Sequence, residues 1–341
     1  MIDLVHLQGA LAVAAHGSFA RAARALGISQ PALSRQIAGL EANLGIALFD
    51  RNRTGTVPTV FGRLVLDRAA ILLGNLSELE REVGLLRGLE AGSLHVGAGI
   101  YPAFLSVGIA TGRLKTRHPG LKFQVMTGDW RSIVHGLRTR ELDLAVIEVS
   151  LVAGDPQLIV EPLPSHAGAF FCRAGHPLTG MHAPTIKQVL AYPLAAPRLP
   201  ARAVVPLRSL LEGQGEFDGD ADEYVPPIKV DTIRLAVNVV LSSDAISLAP
   251  LSAIRPELLE GTLVALPLSP PWLRTNYGLI YPADRSLSPA AEAFMREMRI
   301  VETELTAQEA VLEKTLVRSS KGRGDARSAR RKRAGTIIKD S

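Results

Sequence analysis

The sequence predicts a multi-domain α/β protein with an N-terminal winged helix-turn-helix, a long linker helix and a C-terminal region of alternating strands and helices. Three observations lead to this prediction. Apolar residues recur at helical spacing on both sides of a glycine break in residues 18–49, and a repeat of threes and fours runs through residues 65–86. Beyond Ala91, short apolar runs alternate with helical segments. The 341-residue length leaves room for more than one domain.

The first element is a pair of short helices joined by a tight turn. Ser18 is expected to cap the first helix, which ends at Gly27. Ser29 is expected to cap the second, where Pro31 is tolerated in the first turn. The apolar residues that face the core are Phe19, Ala22, Ala23 and Leu26 on the first helix and Leu33, Ile37, Leu40 and Leu44 on the second. The boundary of this domain is placed at residues 1–60.

Polar side chains at the start of the second helix can reach base edges and phosphates if that helix lies in a DNA major groove. A short β wing is expected over residues 54–59, where flanking arginines can contact the DNA backbone or a narrow minor groove. Spacing alone also permits two ordinary helices of an α-helical domain with no DNA contact. The predicted DNA-binding residues are Ser29, Gln30, Pro31, Ser34, Arg35, Arg51 and Arg53.

The linker helix is placed at residues 61–90. Its apolar spacings alternate between four and three over three heptads, which is typical of a coiled-coil seam. The alternative is one amphipathic helix packed on its own domain, which usually has a wider apolar stripe. Dimerisation would let two recognition helices address two DNA half-sites. The predicted dimerisation residues are Val65, Ala69, Leu72, Leu76, Leu79, Val83 and Leu86.

The net charge of +5 comes mainly from the C-terminal end of the chain. From Lys314 onwards there are ten Lys or Arg and two Asp. Residues 306–341 are therefore predicted to be a basic, disordered tail. Such a tail can strengthen binding to DNA phosphates, or it can be a solvated extension without a specific role.

Cysteine usage and hydropathy indicate the compartment. Cys172 is the single cysteine, so no intrachain disulfide can form and a buried thiol is expected. No stretch approaches the roughly 18 consecutive apolar residues of a membrane span. We expect a cytoplasmic protein without a membrane partner.

Residues 17–51 resemble, almost residue for residue, the N-terminal signature of the LysR-type transcriptional regulators: a GSF start, a paired alanine, SQPALSRQI and LFDR. The phrases RHPGLKF, RELDLAVI, CRAGHPL and ISLAPLSAI then follow in the order typical of that family, so the resemblance covers residues 1–299. Two stretches depart from the family pattern. They are residues 58–62, after the wing, and residues 242–244, where the family usually has glycines.

The resemblance implies that residues 91–305 form a two-lobed α/β effector-binding domain like the periplasmic solute-binding proteins. Lobe I is placed at residues 91–163 and 268–305, and lobe II at residues 164–267. The chain is expected to cross between the lobes near residues 161–164 and to return near residues 266–271. Two crossings imply a hinge between the lobes.

Ligands of open α/β sheets bind beyond the carboxyl ends of strands, so we expect the effector in the cleft at those loops. An ordinary loop or cap is the alternative at each position, above all for Asp231 and Thr232 before the helix at Ile233. The predicted effector-binding residues are Ala98, Gly99, Ile100, Tyr101, Asp129, Glu148, Arg198, Asp231 and Thr232.

The loop AGIYPA lacks the Ser or Thr hydroxyl that many LysR-type regulators offer to a carboxylate effector. Asp129 and Glu148 would oppose an anion unless Arg198 compensates. We therefore expect a neutral polyhydroxy ligand such as a sugar, or an amphipathic aromatic compound.

No catalytic or metal-binding constellation is recognisable, and the histidines are scattered without ligand spacing, so neither an enzyme nor a cofactor is predicted. The resulting hypothesis is a transcriptional regulator that binds double-stranded DNA half-sites as a homodimer or tetramer. A small-molecule effector in the cleft would then alter its contact with RNA polymerase. The alternative is a small-molecule-binding sensor protein whose N-terminal helices serve only for assembly.

Overall fold

The computed structural model describes residues 2–52, 55–85, 92–211, 213–218, 223–268 and 270–312. The N-terminal part is a helical domain with a two-stranded wing. Its elements are α1 (Leu4–His16), α2 (Phe19–Ala25), α3 (Gln30–Leu44), β1 (Phe49–Asn52), β2 (Gly55–Pro58) and the long helix α4 (Val60–Leu85).

The predicted helix-turn-helix is confirmed as α2 and α3. Ser29 caps α3, because its Oγ accepts a hydrogen bond from the Ala32 N–H at 3.3 Å. Gly27 follows the end of α2 with φ of +67°, a left-handed conformation that glycine adopts without strain. Ser18 occupies the N-cap position of α2 but makes no side-chain capping hydrogen bond there, contrary to the prediction.

Helix α1 was not predicted, and it completes the core of this domain. Asp3 caps its start through the Val5 N–H, and Gly17 ends it with φ of +58°. Its buried residues Leu7, Ala10 and Val13 pack with the predicted apolar faces of α2 and α3. The three helices therefore form one hydrophobic core.

The wing is held by α3 and by the turn between α1 and α2. The Glu41 carboxylate of α3 accepts hydrogen bonds from the backbone N–H groups of Leu48 at 2.7 Å and Phe49 at 3.3 Å. The Thr56 N–H donates to the Gly17 carbonyl at 3.1 Å. The wing therefore has a fixed position relative to α3.

Helix α4 begins at Val60, and the predicted dimerisation residues on it differ in burial. Ala69 is buried in the N-terminal core and Val65 packs against it, whereas Leu72 and Leu79 are 51% and 54% exposed. Leu76 is half-buried. The side chain of Val83 and the whole of Leu86 lie outside the described residues.

The C-terminal region follows the predicted αβ progression. Its first elements are β3 (Ser93–Ala98), α5 (Ile100–Pro102), α6 (Gly108–Arg117), β4 (Lys122–Thr127), α7 (Trp130–Arg138), β5 (Leu144–Glu148) and β6 (Leu158–Pro162). A π-helical turn at Ala103–Val107 joins α5 to α6.

The next group of elements forms the second lobe. Its strands are β7 (Gly168–Arg173), β8 (Ala195–Ala196), β9 (Leu199–Pro200), β10 (Glu216–Asp218), β11 (Glu223–Val225), β12 (Ile228–Lys229), β13 (Ser247–Pro250) and β14 (Leu263–Ala265). Its helices are α8 (Ile186–Val189), α9 (Ala201–Val204), α10 (Arg208–Leu211), α11 (Ile233–Ser242) and α12 (Arg255–Glu260). The chain then returns through β15 (Tyr277–Pro282) and ends its described part in a helix over residues 289–312, named α13.

The main sheet of lobe I has the strand order β4-β3-β5-β15-β6. Strands β3, β4 and β5 are parallel, and β15 runs antiparallel between β5 and β6. In lobe II the central β7 pairs antiparallel with β13 and β14. Parallel strands direct their carboxyl ends to one edge of the sheet, so the loops after β3, β4 and β5 meet beside lobe II.

The two crossings between lobes lie side by side. The first occupies residues 163–167, and the return lies at residues 274–276, where Ala167 and Arg274 form a β bridge. The sequence predicts the return at residues 266–271, closer to the N-terminus, but Leu266 and Leu273 are both buried in the core of lobe II. Burial of these side chains keeps the chain in lobe II until Leu273.

The C-terminal helix corrects the predicted start of the tail. Residues 306–312 are helical, and this segment is held by burial of Glu309 against the first crossing and of Leu312 against lobe II. The rest of the predicted tail, from residue 313, lies outside the described residues. Within the described ranges, the helices are too short or too polar to cross a membrane, and the same ranges hold no cluster of three or more His, Cys, Asp or Glu suited to a metal ion.

Candidate nucleic-acid interface and ligand cleft

The first turn of α3 presents an exposed polar surface. Gln30, Pro31 and Arg35 are exposed and Ser34 is half-buried, whereas Leu33, Ile37 and Leu40 on the other side are buried. Ser29 is exposed, and its hydroxyl caps the helix. The helix therefore offers its N-terminal polar face to the surroundings while its apolar face holds it on the domain.

The wing holds the predicted DNA-binding residue Arg51. Arg51 lies in β1, opposite Thr56 of β2. Its side chain and the whole of Arg53 lie outside what the structure describes. Arg63, which was not predicted to bind DNA, donates a hydrogen bond to the Pro58 carbonyl at 3.1 Å at the base of the wing. Arg63 thus adds a cation at the base of the wing.

A cavity of about 490 Å³ lies between the two lobes. The carboxyl-end loops of lobe I form one wall, and residues 197–203 with strand β13 form much of the other. Of the nine predicted effector-binding residues, Ala98 is buried inside β3, and Thr232 caps α11 through the Leu235 N–H. The predicted residues that line the cavity are Gly99, Ile100, Tyr101, Asp129, Glu148, Arg198 and Asp231.

Polar contacts between described residues join the lobes across this cleft. Arg202 of lobe II donates to both carboxylate oxygens of Glu148 in lobe I, at 2.8 Å and 2.6 Å. The Tyr101 hydroxyl donates to the Leu248 carbonyl of lobe II at 3.3 Å. Burial raises the pKa of Tyr101, so the phenol remains a donor at neutral pH. A longer ion pair between Arg131 of α7 and Glu223 of β11, with 4.0 Å between the charged atoms, also spans the cleft.

The charges of the cleft are largely paired, and the pairing differs from the one predicted. Arg202, which was not predicted, neutralises Glu148, whereas Arg198 contacts Asp218 at 3.0 Å and Glu223 at 3.8 Å. No spacing signal marks Arg202, because its partner lies 54 residues earlier. Arg198 therefore does not compensate Glu148.

Two predicted acidic residues have local roles. Asp231 pairs with Lys229 at 2.9 Å. Asp129 caps α7: the Ser132 hydroxyl and N–H donate to its carboxylate, and these hydrogen bonds lower the pKa of Asp129. Asp129 therefore stays ionised and places a negative charge at the mouth of the cleft.

Apolar walls and a few unpaired polar groups complete the cleft. Trp130 lies in the wall, and its indole N–H has no hydrogen-bond partner among the described residues. Arg274 also lines the cavity, and its guanidinium donates to the Ser165 hydroxyl and carbonyl. Neither residue was predicted. Trp130 could have been recognised from the sequence, because it is a large aromatic residue in the loop region that follows β4. Arg274 thus adds a guanidinium to the cleft wall, and Trp130 adds aromatic surface while its indole nitrogen is buried.

The sequence matches two family models. The model described as "Bacterial regulatory helix-turn-helix protein, lysR family" matches residues 4–63, and "LysR substrate binding domain" matches residues 87–301. Together they cover the winged domain and the two lobes.

Curated relatives agree over most of the chain. An SDS degradation transcriptional activation protein of a Pseudomonas species is 42% identical over 297 residues, which cover 86% of this chain and 94% of the relative. The HTH-type transcriptional regulator GbpR of Azospirillum brasilense is 28% identical over 304 residues, with 87% and 86% covered. Both relatives are transcriptional regulators.

Solved structures show the same fold. A full-length OxyR variant from Pseudomonas aeruginosa has a TM-score of 0.60 at 21% identity, with 88% of this chain and 95% of that chain covered. CbnR, a LysR family transcriptional regulator, has a TM-score of 0.61 at 17% identity, with 88% and 99% covered. The family models, the relatives and the fold lead to one conclusion: this chain belongs to the LysR family of transcriptional regulators, with a DNA-binding helix-turn-helix and an effector-binding domain.

Proposed function

We propose that the protein binds promoter half-sites as a homodimer or tetramer and changes transcription when a small molecule enters the inter-lobe cleft. The observation that carries the proposal is the exposed first turn of α3, where Gln30, Ser34 and Arg35 share the face opposite the core. Such a helix inserts its N-terminal side chains into the major groove, where an arginine can bind guanine bidentately. Ser29, Pro31 and the wing residues Arg51 and Arg53 complete the proposed contact set.

Dimerisation is assigned to α4. Leu72 and Leu79 are seven residues apart and about half exposed, so one face of the helix carries leucines without a full cover in the single chain. A second α4 helix would cover them and set the separation of the two recognition helices. Val65, Leu76, Val83 and Leu86 belong to the proposed seam, whereas the burial of Ala69 supports a role in the domain core.

The effector is proposed to be a neutral or amphipathic molecule such as a sugar or an aromatic compound. Three cations in the cleft wall already pair with carboxylates, so a small dicarboxylate would find little unpaired positive charge there. The relative named for SDS degradation adds detergents with an alkyl chain to the candidates. Their apolar tails suit the apolar walls, which a small dicarboxylate cannot use.

The response to the effector is proposed to act through the lobes. A ligand that favours one lobe arrangement shifts the subunits, which alters the half-sites that they hold and the bend of the DNA. The changed assembly would then contact RNA polymerase differently. Such an activity belongs in the cytoplasm.

DNA binding is tested by selecting sites for the full-length protein from a random duplex library and measuring affinity by gel shift. We expect Arg35→Ala to cost about 1–3 kcal/mol on the selected site, which is about five- to 150-fold in Kd. Arg296→Ala, an exposed arginine on α13, is the control and should leave Kd unchanged. Recovery of no preferred sequence would favour the sensor alternative.

The effector class is tested by a thermal-shift panel of sugars, aromatic acids, dodecyl sulfate below its denaturing concentration, 1-dodecanol and small dicarboxylates. A ligand at about 100 times its Kd should stabilise the protein by about 2.7 kcal/mol. Isothermal calorimetry on Trp130→Phe, which removes part of the aromatic surface of the cleft wall, then locates the ligand in the cleft. Binding only to dicarboxylates would overturn the proposed class.

A further inference from the structure

A buried cluster of charged and polar side chains lies next to the cleft, at the first crossing between the lobes. The His166 side chain is completely buried, and its Nδ1 is 2.8 Å from a Glu309 oxygen while its Nε2 is 2.6 Å from a Glu302 oxygen. The Tyr277 hydroxyl donates to Glu302 at 3.3 Å, and the Ser252 hydroxyl donates to Glu309. These five residues are called the hinge cluster below.

The hinge cluster draws its members from every part of the two-lobed domain. His166 lies in the first crossing, Tyr277 begins β15 of lobe I, and Ser252 lies in lobe II directly after β13. Glu302 and Glu309 are seven residues apart on α13, so two helical turns place both carboxylates on one face. The cluster therefore joins the crossing, both lobes and the C-terminal helix.

Helix α13 itself extends across both lobes. Its first turns contribute Phe294 and Met298 to the core that contains the lobe I strands. Its last described residue, Leu312, packs on Ala169 and Leu251 of lobe II. A rigid helix that is packed on both lobes resists a change of their relative orientation.

The charge state of the cluster is set by its own carboxylates. Burial opposes the charged imidazolium, but hydrogen bonds from His166 to Glu302 and Glu309 outweigh burial and raise the pKa of His166 to about 9. Tyr277 faces the same carboxylates, and burial raises its pKa, so it stays neutral. The other charged group on the adjoining crossing is Arg274, which is directed at Ser165. At neutral pH, one imidazolium thus lies between two carboxylates.

The cluster adjoins the residues that line the cleft. The His166 N–H donates to the Thr275 hydroxyl at 2.8 Å, and the Thr275 N–H donates to the His166 carbonyl at 2.9 Å. Thr275 and Tyr277 both line the cavity. A molecule in the cleft therefore contacts Thr275, which bonds directly to His166, and Tyr277, whose ring stacks on His166 and whose hydroxyl bonds to Glu302.

We propose that His166 is a positioning residue for the lobes: through Glu302 and Glu309 it fastens α13 to the hinge, so the lobe arrangement depends on an intact hinge cluster. The bond from Ser252 to Glu309 is the connection to lobe II. A regulatory role of the hinge cluster rests on the proposed function of the cleft. The effect of the hinge cluster on the lobe arrangement can be tested without DNA or effector, because all of its residues belong to the two-lobed domain.

The test measures the distance between the lobes by double electron–electron resonance in the full-length protein. Spin labels are attached at Gln124→Cys in lobe I and Lys187→Cys in lobe II, both exposed positions, while the buried Cys172 stays unlabelled. The variants are Glu309→Gln, which keeps the size of the side chain, and Ser252→Ala, which removes only the neutral bond to lobe II. The matched control is Glu304→Gln on the exposed side of α13, where Glu304 pairs with Arg113.

We expect one narrow distance distribution for the wild type and for Glu304→Gln at neutral pH. Glu309→Gln and Ser252→Ala should each shift or broaden this distance distribution. The wild type should show the same change above the pH at which His166 loses its proton. Amide exchange of residues 163–167 and 274–277 should become about tenfold faster or more in the hinge variants.

An unchanged distance distribution in both hinge variants, with loss of thermal stability alone, would reduce the cluster to a structural role and overturn the proposal. If Glu309→Gln does not fold, Ser252→Ala decides by itself. A wild-type protein that selects no DNA sequence would refute the proposed function, and the lobe distances would still decide the role of His166.

Discussion

Gly62 shows how a single residue fixes the junction between the wing and α4. A Cβ atom at this position would lie 2.0 Å from the Leu48 carbonyl oxygen, and that oxygen belongs to the backbone that leads into the wing. The Gly62 N–H also donates to the Thr59 hydroxyl at 2.8 Å, so Thr59 caps the helix. Residues 58–62 depart from the family pattern, but they retain a glycine where the backbones of Gly62 and Leu48 are in contact.

Gly62→Ala is expected to lower the stability of the N-terminal domain by about 1–3 kcal/mol, because the backbone has to shift. Amide exchange of α1 and α3 in the full-length protein measures this change. Gly39→Ala is the control: a Cβ atom there would meet no described neighbour within 4 Å outside its own helix, so a gain of about 0.5–1 kcal/mol is expected. Equal effects at the two glycines would contradict the close approach at Leu48.

The pKa of His166 predicts a dependence of stability on pH. The folded pKa of about 9 exceeds the ordinary value of 6.5, so the stabilisation is complete below pH 6.5 and is lost as the pH rises through 9. Urea unfolding followed by the fluorescence of Trp130 and Trp272, both in the two-lobed domain, measures it. The same rise in pH should lower the free energy of unfolding less in Glu309→Gln than in the wild type. Equal losses in these two proteins would contradict the role of His166 and Glu309 in the pH dependence.

Residues whose partners are close in sequence could be predicted, and residues whose partners are distant could not. Ser29 and Gly27 act within one helical turn, so both could be recognised from the sequence. Arg202 meets Glu148 across the cleft, and His166 meets Glu302 from 136 residues away. These partners follow from the tertiary fold, which the order of family phrases implies only at the level of whole lobes.

At the scale of elements, α1 and α13 show where patterns fail. The segment LVHLQGALAVAAH of α1 is apolar on most sides, so it has little of the amphipathic contrast by which the other helices were recognised. The basic residues beyond α13 predict a tail that begins at residue 306, yet Glu309 is buried through its partners His166 and Ser252. Composition alone predicts that charged residues are exposed, so it fails for charged residues that are buried with partners.

Helix α4 carries the prediction about assembly. Leu72→Asp with Leu79→Asp is expected to convert the dimer or tetramer to monomers, because two charges would enter the proposed seam. Analytical ultracentrifugation of the full-length protein measures the change. Leu259→Asp on α12 replaces an equally exposed leucine and should keep the wild-type assembly. Dissociation by Leu259→Asp alone would place the interface elsewhere.

At the scale of the whole molecule, the Arg202–Glu148 pair links the lobes at the cleft. The two side chains are 27% and 17% exposed, and the bidentate geometry favours a stronger interaction than a typical surface pair. We expect a coupling energy of about 1 kcal/mol or more in a double-mutant cycle of Arg202→Ala and Glu148→Ala. Urea unfolding of the two-lobed domain measures it, and additive effects of the two changes would show that the pair does not hold the lobes together.

Sequence-specific DNA binding that responds to the cleft is tested most directly by DNase footprinting on a selected duplex, with and without a ligand from the thermal-shift panel. We expect the wild type to protect two half-sites, with centres about one helical turn or a multiple apart, and the ligand to change the protected pattern. Arg35→Ala should lose the protection. A single unpaired footprint, or a pattern that a bound ligand leaves unaltered, would contradict a paired recognition helix governed by the inter-lobe cleft.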